Sequence, residues 1–280
     1  MKIGVRVHDF GKSDSKTLAQ QAKAIGFDGV QLVLNKAITG ETGLPGTLNM
    51  EKAKSIQQDF YEEGIEIFML GAYFNPVHSN KDLVDTNIRK FKEHLLYLNA
   101  FHGHFVGSET GSYNDDKWTY HPLNRTEEAY NEVKRIFSNL ADYAKEVNAN
   151  LALEGAFGHC MYEPKVLKRL VDEIDNGHVY YIVDIYNYLS ISNYQSYKDI
   201  FEECLALFAD KIVIFHLKDF IVTDGALKQC AIGKGILDYS YLLKRIKETN
   251  PNAYLIFEGS KPEDMQESLS FVKEVLNEGE

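Results

Sequence analysis

With 280 residues, 44% of them hydrophobic and 25% charged, the chain is long enough to bury a sizeable core as a single domain. Its formal net charge of −11 repels phosphate backbones and anionic lipid over most of the exterior, which argues against nucleic acid and membranes as general partners. The three cysteines, Cys160, Cys204 and Cys230, form no CxxC pair and suit a reducing compartment; no stretch reaches the ~20 apolar residues of a membrane span and MKIGVRVHDF is too short an apolar run for a signal peptide, so a cytoplasmic location is expected.

The first strand, Lys2 to Val7, delivers His8 and Asp9 to its carboxyl end. A helix from about Ser15 carries Leu18, Ala22 and Ile25 at spacings of three and four and stops at Gly26, before a second strand, Gly29 to Leu34. The loop from Asn35 to Asn49, with Gly40, Gly43, Pro45 and Gly46, is long for a compact domain and is either a lid or a surface excursion. A helix from Met50 to Glu63 ends at Gly64, and Glu66 to Gly71 forms strand three. Leu83, Ile88, Phe91, Leu95 and Leu98 give the next helix, from about Lys81, its buried face. Strand four, His104 to Gly107, hands over to a loop containing Glu109, Trp118 and His121. There Trp118 either walls a sugar-sized pocket or pins the loop to the body of the protein.

Thr126 caps a helix that runs to about Val147, and strand five is Asn150 to Glu154. Pro164 opens a helix whose Val166, Leu167, Leu170, Val171 and Ile174 share one face, followed by strand six, Val179 to Asp184, and a helix from Tyr197 to Phe208. The run Ile212 to Phe220 then passes from buried-strand residues straight into His216, Lys218 and Asp219 with no turn residue between strand and charge. A helix from Tyr239 to Thr249, strand eight from Tyr254 to Glu258 and a last helix complete eight alternations of strand and helix. Such alternation predicts an α/β fold with a parallel sheet closed as one (β/α)8 TIM barrel; an open doubly wound sheet is the alternative. No GxGxxG or GxxxxGK[ST] follows a strand, and Gly233-Lys234-Gly235 alone is too short to make a phosphate loop.

On a barrel, Glu154, Asp184, His216 and Glu258 end strands five to eight, one arc of the carboxyl-end rim where such folds build active sites. Each has an ordinary explanation alone, since an acid after a strand often caps the next segment and a lone histidine is commonly a satisfied polar group. Four on adjacent strands instead point to one metal site. Three carboxylates and an imidazole make an oxygen-rich shell that suits Mn²⁺ or Mg²⁺ and tolerates Co²⁺ or Zn²⁺, and the ion offsets their mutual repulsion.

The segments ALEG at Glu154, VDIYN at Asp184, FHLKD at His216, IGKGILDY from Ile232 and FEG at Glu258 make the chain resemble, over essentially its whole length, the sugar phosphate isomerase/epimerase superfamily of xylose isomerase-like TIM barrels. The resemblance implies one divalent metal ion held by Glu154, Asp184, His216 and Glu258, and a small-molecule sugar or sugar phosphate as substrate. From the ketose epimerases of that superfamily it also implies Glu154 and Glu258 as the acid/base pair, moving a proton through an enediolate. Where those epimerases place a further Glu, His and Arg, this chain has Cys160, Asn187 and Val222. Substrate contacts are expected from His8, Glu109, Trp118, His159, Asn187 and Lys218, although Lys218 could equally turn away and pair with an acidic neighbour. Lys234 and Lys261 are either phosphate ligands or solvated surface groups. The extra histidines and Asp-x-His motif of endonuclease IV-like relatives are missing after His216. A keto-polyol dehydratase or a non-catalytic sugar-binding barrel are the alternatives to an isomerase/epimerase, and assembly as a homo-oligomer is left open.

Overall fold

The strand segments carry apolar residues on both faces, as they must when one face lines a barrel and the other meets helices. In the computed structural model, which describes residues 1–277, eight of them pair in parallel into a closed barrel. In chain order the first half comprises β1 (Ile3–Arg6), α1 (Ser15–Ile25), β2 (Gly29–Leu32), α2 (Leu34–Ala37), α3 (Met50–Glu62), β3 (Glu66–Gly71), α4 (Lys81–Tyr97), β4 (Phe105–Glu109) and α5 (Glu127–Glu146). The second half comprises β5 (Leu151–Glu154), α6 (Pro164–Ile174), β6 (Val179–Asp184), α7 (Tyr197–Phe208), β7 (Ile212–Leu217), β8 (Asp219–Thr223), β9 (Ala226–Cys230), α8 (Tyr239–Thr249), β10 (Tyr254–Phe257) and α9 (Pro262–Asn277). The barrel closes in the order β1-β10-β7-β6-β5-β4-β3-β2, the closed parallel (β/α)8 TIM barrel that the alternation predicts. Side-chain caps fix where helices start: Asp14 accepts from the Thr17 N–H, Asn49 from Lys52, Asn80 from Leu83 and Thr126 from Ala129. Among the described residues no helix is long and apolar enough to cross a membrane.

Most strand ends move by a residue or so from the sequence reading, and three differences shape the rim. Strand two ends at Leu32, because Leu34 and Ala37 are buried as α2 and Ser13 bridges to Ile38, so the first residues of the expected loop are anchored. Strand four continues to Glu109, which pairs in register with Glu154. After β7 the chain does not go directly to a helix but forms an antiparallel hairpin, β8 with β9, turning at Asp224 and Gly225. The root of this hairpin is organised by Asp219, whose carboxylate accepts N–H bonds from Phe220 at 2.9 Å, Gly233 at 3.0 Å, Gly235 at 2.9 Å and Leu237 at 3.2 Å. A Cβ at Gly235 would overlap that carboxylate, so the Gly-Lys-Gly segment wraps a structural acid.

The barrel interior has a small core of its own, Phe68, Met69, Ala152, Ile182, Ile214 and Ile256, separate from the larger one between strands and helices. Strand residues two apart share a face, so Ala152, Ile182, Ile214 and Ile256 lie directly beneath Glu154, Asp184, His216 and Glu258 and form the floor of the rim cluster. On the opposite side Phe68 fills the space left by Gly4 and Gly29, and its ring stacks on Tyr254 at 4.1 Å. A Cβ at Gly29 would fall on the Phe68 ring and 2.6 Å from the Glu66 carbonyl oxygen. Gly29→Val is therefore expected to destabilise the fold by about 1–3 kcal/mol through overpacking, read as a lower denaturation midpoint in urea; an unchanged midpoint would contradict this packing.

Candidate functional site

Glu154, Asp184, His216 and Glu258 each bring one ligand atom to a common point, all within 4.8 Å of one another. Around a divalent ion with bonds near 2.1 Å, ligand atoms stand at most about 4.2 Å apart, so the cluster is close to the dimensions of a single-ion site. Glu154, Asp184 and His216 are buried and the Glu258 side chain is 13% exposed, toward the mouth.

The hydrogen bonds at His216 decide which nitrogen faces the carboxylates. Nε2 is 2.8 Å from Gln31 Oε1, and a carbonyl oxygen only accepts, so Nε2 carries the proton. Gln31 is held in that sense because its own amide nitrogen donates to Tyr73 Oη at 2.8 Å. Nδ1 therefore points its lone pair at Glu258 Oε2, 2.9 Å away, and Glu154 Oε2, 3.3 Å away. Nδ1 and Glu258 Oε2 are buried without a hydrogen-bond partner. Electron pairs facing one another in this way are stable only with a proton or a cation between them. Burial alone would lower His216, but Glu258 and Glu154 raise it to about 10, so a proton takes that place when no metal is bound. An oxygen-rich, charge-deficient point of this kind fits a divalent ion.

Around the cluster runs a ring of polar contacts. Lys218 Nζ lies 2.7 Å from Asp184 Oδ2 and 3.0 Å from Glu258 Oε1, and donates to Asn187 Oδ1 at 3.1 Å. Asn187 Nδ2 in turn donates to Glu154 Oε1 at 2.7 Å. Lys218 thus pairs with acids, but with those of the cluster, and faces inward instead of turning away. Arg6 Nη1 reaches Glu258 Oε1 at 2.9 Å while Arg6 is braced by Asp9 at 2.7 Å. These contacts separate the two glutamates. Burial would raise both, yet Lys218, His216 and Arg6 hold Glu258 well below the ordinary carboxylate range, whereas burial prevails at Glu154 and raises it.

Above the cluster the cleft has two lobes that share Glu109 and Trp118. One, of about 640 Å³, includes His159, Tyr186, Asn187 and the hairpin tip Gly225 to Leu227. The other, of about 400 Å³, includes Arg6, His8, Gln31, Tyr73 and Glu258. Trp118 lines both lobes and sets its ring edge-on to His159, 5.6 Å between centroids. Burial lowers His159 to about 4 and keeps it neutral. Burial, reinforced by Glu258, pushes Glu109 up to about 7. Lys234 and Lys261 do not line either lobe; Lys234 pairs with Glu267 on the surface and Lys261 is exposed. Gln31 and Arg6 are the site-adjacent residues that the sequence reading did not single out.

A family described as xylose isomerase-like TIM barrel matches residues 19–275. Among solved structures, the chain is similar to D-psicose 3-epimerase determined in the presence of D-fructose, at 15% identity over 99% of each chain with a TM-score of 0.74. It is also similar to a xylose isomerase-like TIM barrel protein from Mycobacterium smegmatis in complex with magnesium, at 14% identity over 99% of this chain and 97% of that one, TM-score 0.78. A third is the probable 3-DHS dehydratase involved in petrobactin synthesis from Bacillus anthracis, at 13% identity over 98% and 99%, TM-score 0.72. At these identities the likeness is one of fold. No curated protein matches the sequence.

Proposed function

Because the chain belongs to the family of xylose isomerase-like TIM barrels, we propose that it is a divalent-metal-dependent sugar isomerase or epimerase, working by proton abstraction and return through an enediolate. The observation that carries this reading is the convergence of Glu154, Asp184, His216 and Glu258 within 4.8 Å, with Glu258 opening onto a cavity of about 400 Å³. Bound by these four residues, Mn²⁺ or Mg²⁺ supplies a Lewis acid that polarises the substrate carbonyl and acidifies the adjacent C–H. Glu258, kept ionised by Lys218 and Arg6, takes the proton. Glu154, across the barrel mouth on β5, returns one from the other side, and the two environments push the glutamates apart in the direction an acid/base pair requires. Asn187, with Lys218 behind it donating to its amide oxygen, holds the hydroxyls flanking the reacting carbon, Trp118 and His159 wall the sugar, and Glu109 and His8 complete its hydrogen bonds. The net charge of −11 speaks against nucleic acid as substrate, and the three free cysteines suit the cytoplasm.

The test is a panel of ketoses and ketose phosphates incubated with Mn²⁺- or Mg²⁺-loaded protein in D₂O and followed by NMR. The expected result is deuterium at the carbon beside the carbonyl, with that centre inverted or the carbonyl moved along the chain. Loss of water from the substrate after exchange would make the protein a lyase on the same scaffold. Turnover without any solvent deuterium would defeat the proton-transfer reading altogether.

A further inference from the structure

The smaller lobe of the cleft has a character that the metal chemistry does not use. At the end of it away from the rim carboxylates, α2 contributes Lys36 and α4 contributes Lys90, in the same cavity that reaches Arg6 and Glu258. Lys90 is only 8% exposed, yet its ammonium reaches nothing better than Asn35 Oδ1 at 3.5 Å. Lys36 lies over the Tyr73 ring, 6.0 Å from its centroid. Among the described residues neither lysine forms an ion pair. Lys36 is exposed and solvated, but Lys90 is buried in a chain with 41 acidic residues against 30 basic ones, and a buried ammonium with no counter-charge is uncommon.

Of the acids of the lobe, Glu258 is held by Arg6 and Lys218, and among the described residues neither Asp116 nor Glu109 forms an ion pair with Lys36 or Lys90. His8 adds a buried Nδ1 with no hydrogen-bond partner to the same wall. Burial and the proximity of Lys36 both lower Lys90, and burial, Arg6 and Lys36 lower His8 to about 3, which records the same excess of positive potential. Placing an ammonium out of water without a counter-charge is costly, and the cost is recovered when an anion arrives with a ligand.

We infer that this lobe is an anion subsite, with Lys90 and Lys36 as its charged contacts and Asn35 and His8 beside them, and that the substrate is a keto sugar carrying a carboxylate or a phosphate at the end remote from the reacting carbons. The orientation of the sugar rests on the metal-site reading above; the anion subsite itself does not. It also relocates the basic contact for such a group from Lys234 and Lys261, which stand outside the cleft, to α2 and α4.

Inorganic phosphate is the first probe, titrated calorimetrically into the full-length protein both loaded with Mn²⁺ and treated with chelator. Phosphate is expected to bind in both states with affinities within about threefold, and the Lys36→Gln/Lys90→Met double variant to weaken it by at least about tenfold in both, the loss expected for two charge-assisted contacts. Lys36→Glu, at an exposed position, reverses the charge without disturbing the core and should abolish phosphate binding even if the double variant folds poorly. Binding that vanishes on chelation alone, or that is indifferent to these substitutions, overturns the subsite. The second arm compares deuterium exchange into a neutral ketose, its terminal phosphate and its terminal carboxylate. Preference for one charged sugar identifies the source of the anion, and the double variant should lose at least about tenfold in kcat/KM for it, mainly through KM. A neutral ketose turned over as well as both charged ones overturns the proposal. Phosphate binding as described with no exchange into any sugar supports the subsite and removes the isomerase reading instead.

Discussion

Glu258→Gln is expected to lower turnover of the sugar substrate by roughly 10²–10⁴-fold while leaving the fold intact, the range for loss of a positioned acid or base. Its Oε1 takes Arg6 at 2.9 Å and Lys218 at 3.0 Å, and its Oε2 faces His216. An amide of the same shape removes the negative charge that both cations attend, and whichever way it turns it can satisfy only one side with its oxygen. The companion Glu154→Gln should lose net turnover to a similar extent but differ in kind. With an epimer that presents its proton to Glu258, abstraction survives and the carbon still picks up deuterium from D₂O, while delivery from the opposite face fails. Single-turnover kinetics with NMR detection, at saturating metal, separate the two. Two variants of undiminished activity would remove both glutamates from the chemistry.

His216→Ala should bind no divalent ion after purification without chelator, where the unaltered protein carries one per chain by elemental analysis. The substitution takes away one of four ligands and leaves Gln31 and the carboxylates facing a gap. The same cluster makes metal affinity pH-dependent in a stated direction. In the metal-free protein Glu258 and Glu154 overcome burial and raise His216 to about 10, so below that pH the ion must displace a proton. Apparent affinity should fall by about tenfold for each unit of pH lost, the slope for release of one proton. Competition against a fluorescent chelator between pH 6 and 8 measures it, and a flat profile would mean that metal binding displaces no proton from the imidazole.

The part of the site that was legible in the sequence is the part where charge interrupts an apolar strand. Glu154, Asp184, His216 and Glu258 stand at strand ends, and the count of eight alternations placed them on one arc. Their approach to within 4.8 Å depends on barrel closure, which no local pattern encodes. Gln31 and Arg6 escaped because each lies inside a strand segment and reads as part of its run. The available signal was parity: Arg6 is two residues from Gly4 and Gln31 two from Gly29, and both glycines face the Phe68 ring inside the barrel. Lys90 was invisible for a different reason, since a lysine beside Phe91 on an amphipathic helix ordinarily reaches solvent. The β8–β9 hairpin did have a marker in Asp224-Gly225 after the β-prone run Phe220 to Thr223, a turn pair that joins antiparallel strands, although Ala226 to Cys230 has no strand propensity of its own. The continuous reading of Ile212 to Phe220 as one strand obscured it.

That hairpin divides into two parts with different freedom to change. Its root is braced against the loop that follows it by the four N–H bonds to Asp219 and tied to the barrel rim by Gln229, which donates to the backbone carbonyl of Glu258. Its tip, Gly225 to Leu227, lines the larger lobe, where Tyr186 Oη donates to the Leu227 carbonyl at 3.4 Å and the Leu227 side chain rests on the core. Mutations in the tip therefore reshape the wall that a sugar touches without passing strain to Glu258 or its neighbours. In evolutionary terms, on the function proposed above, the hairpin tip is an exchangeable fitting: three residues at its end can alter which sugar is accepted while the carboxylates beneath stay unchanged.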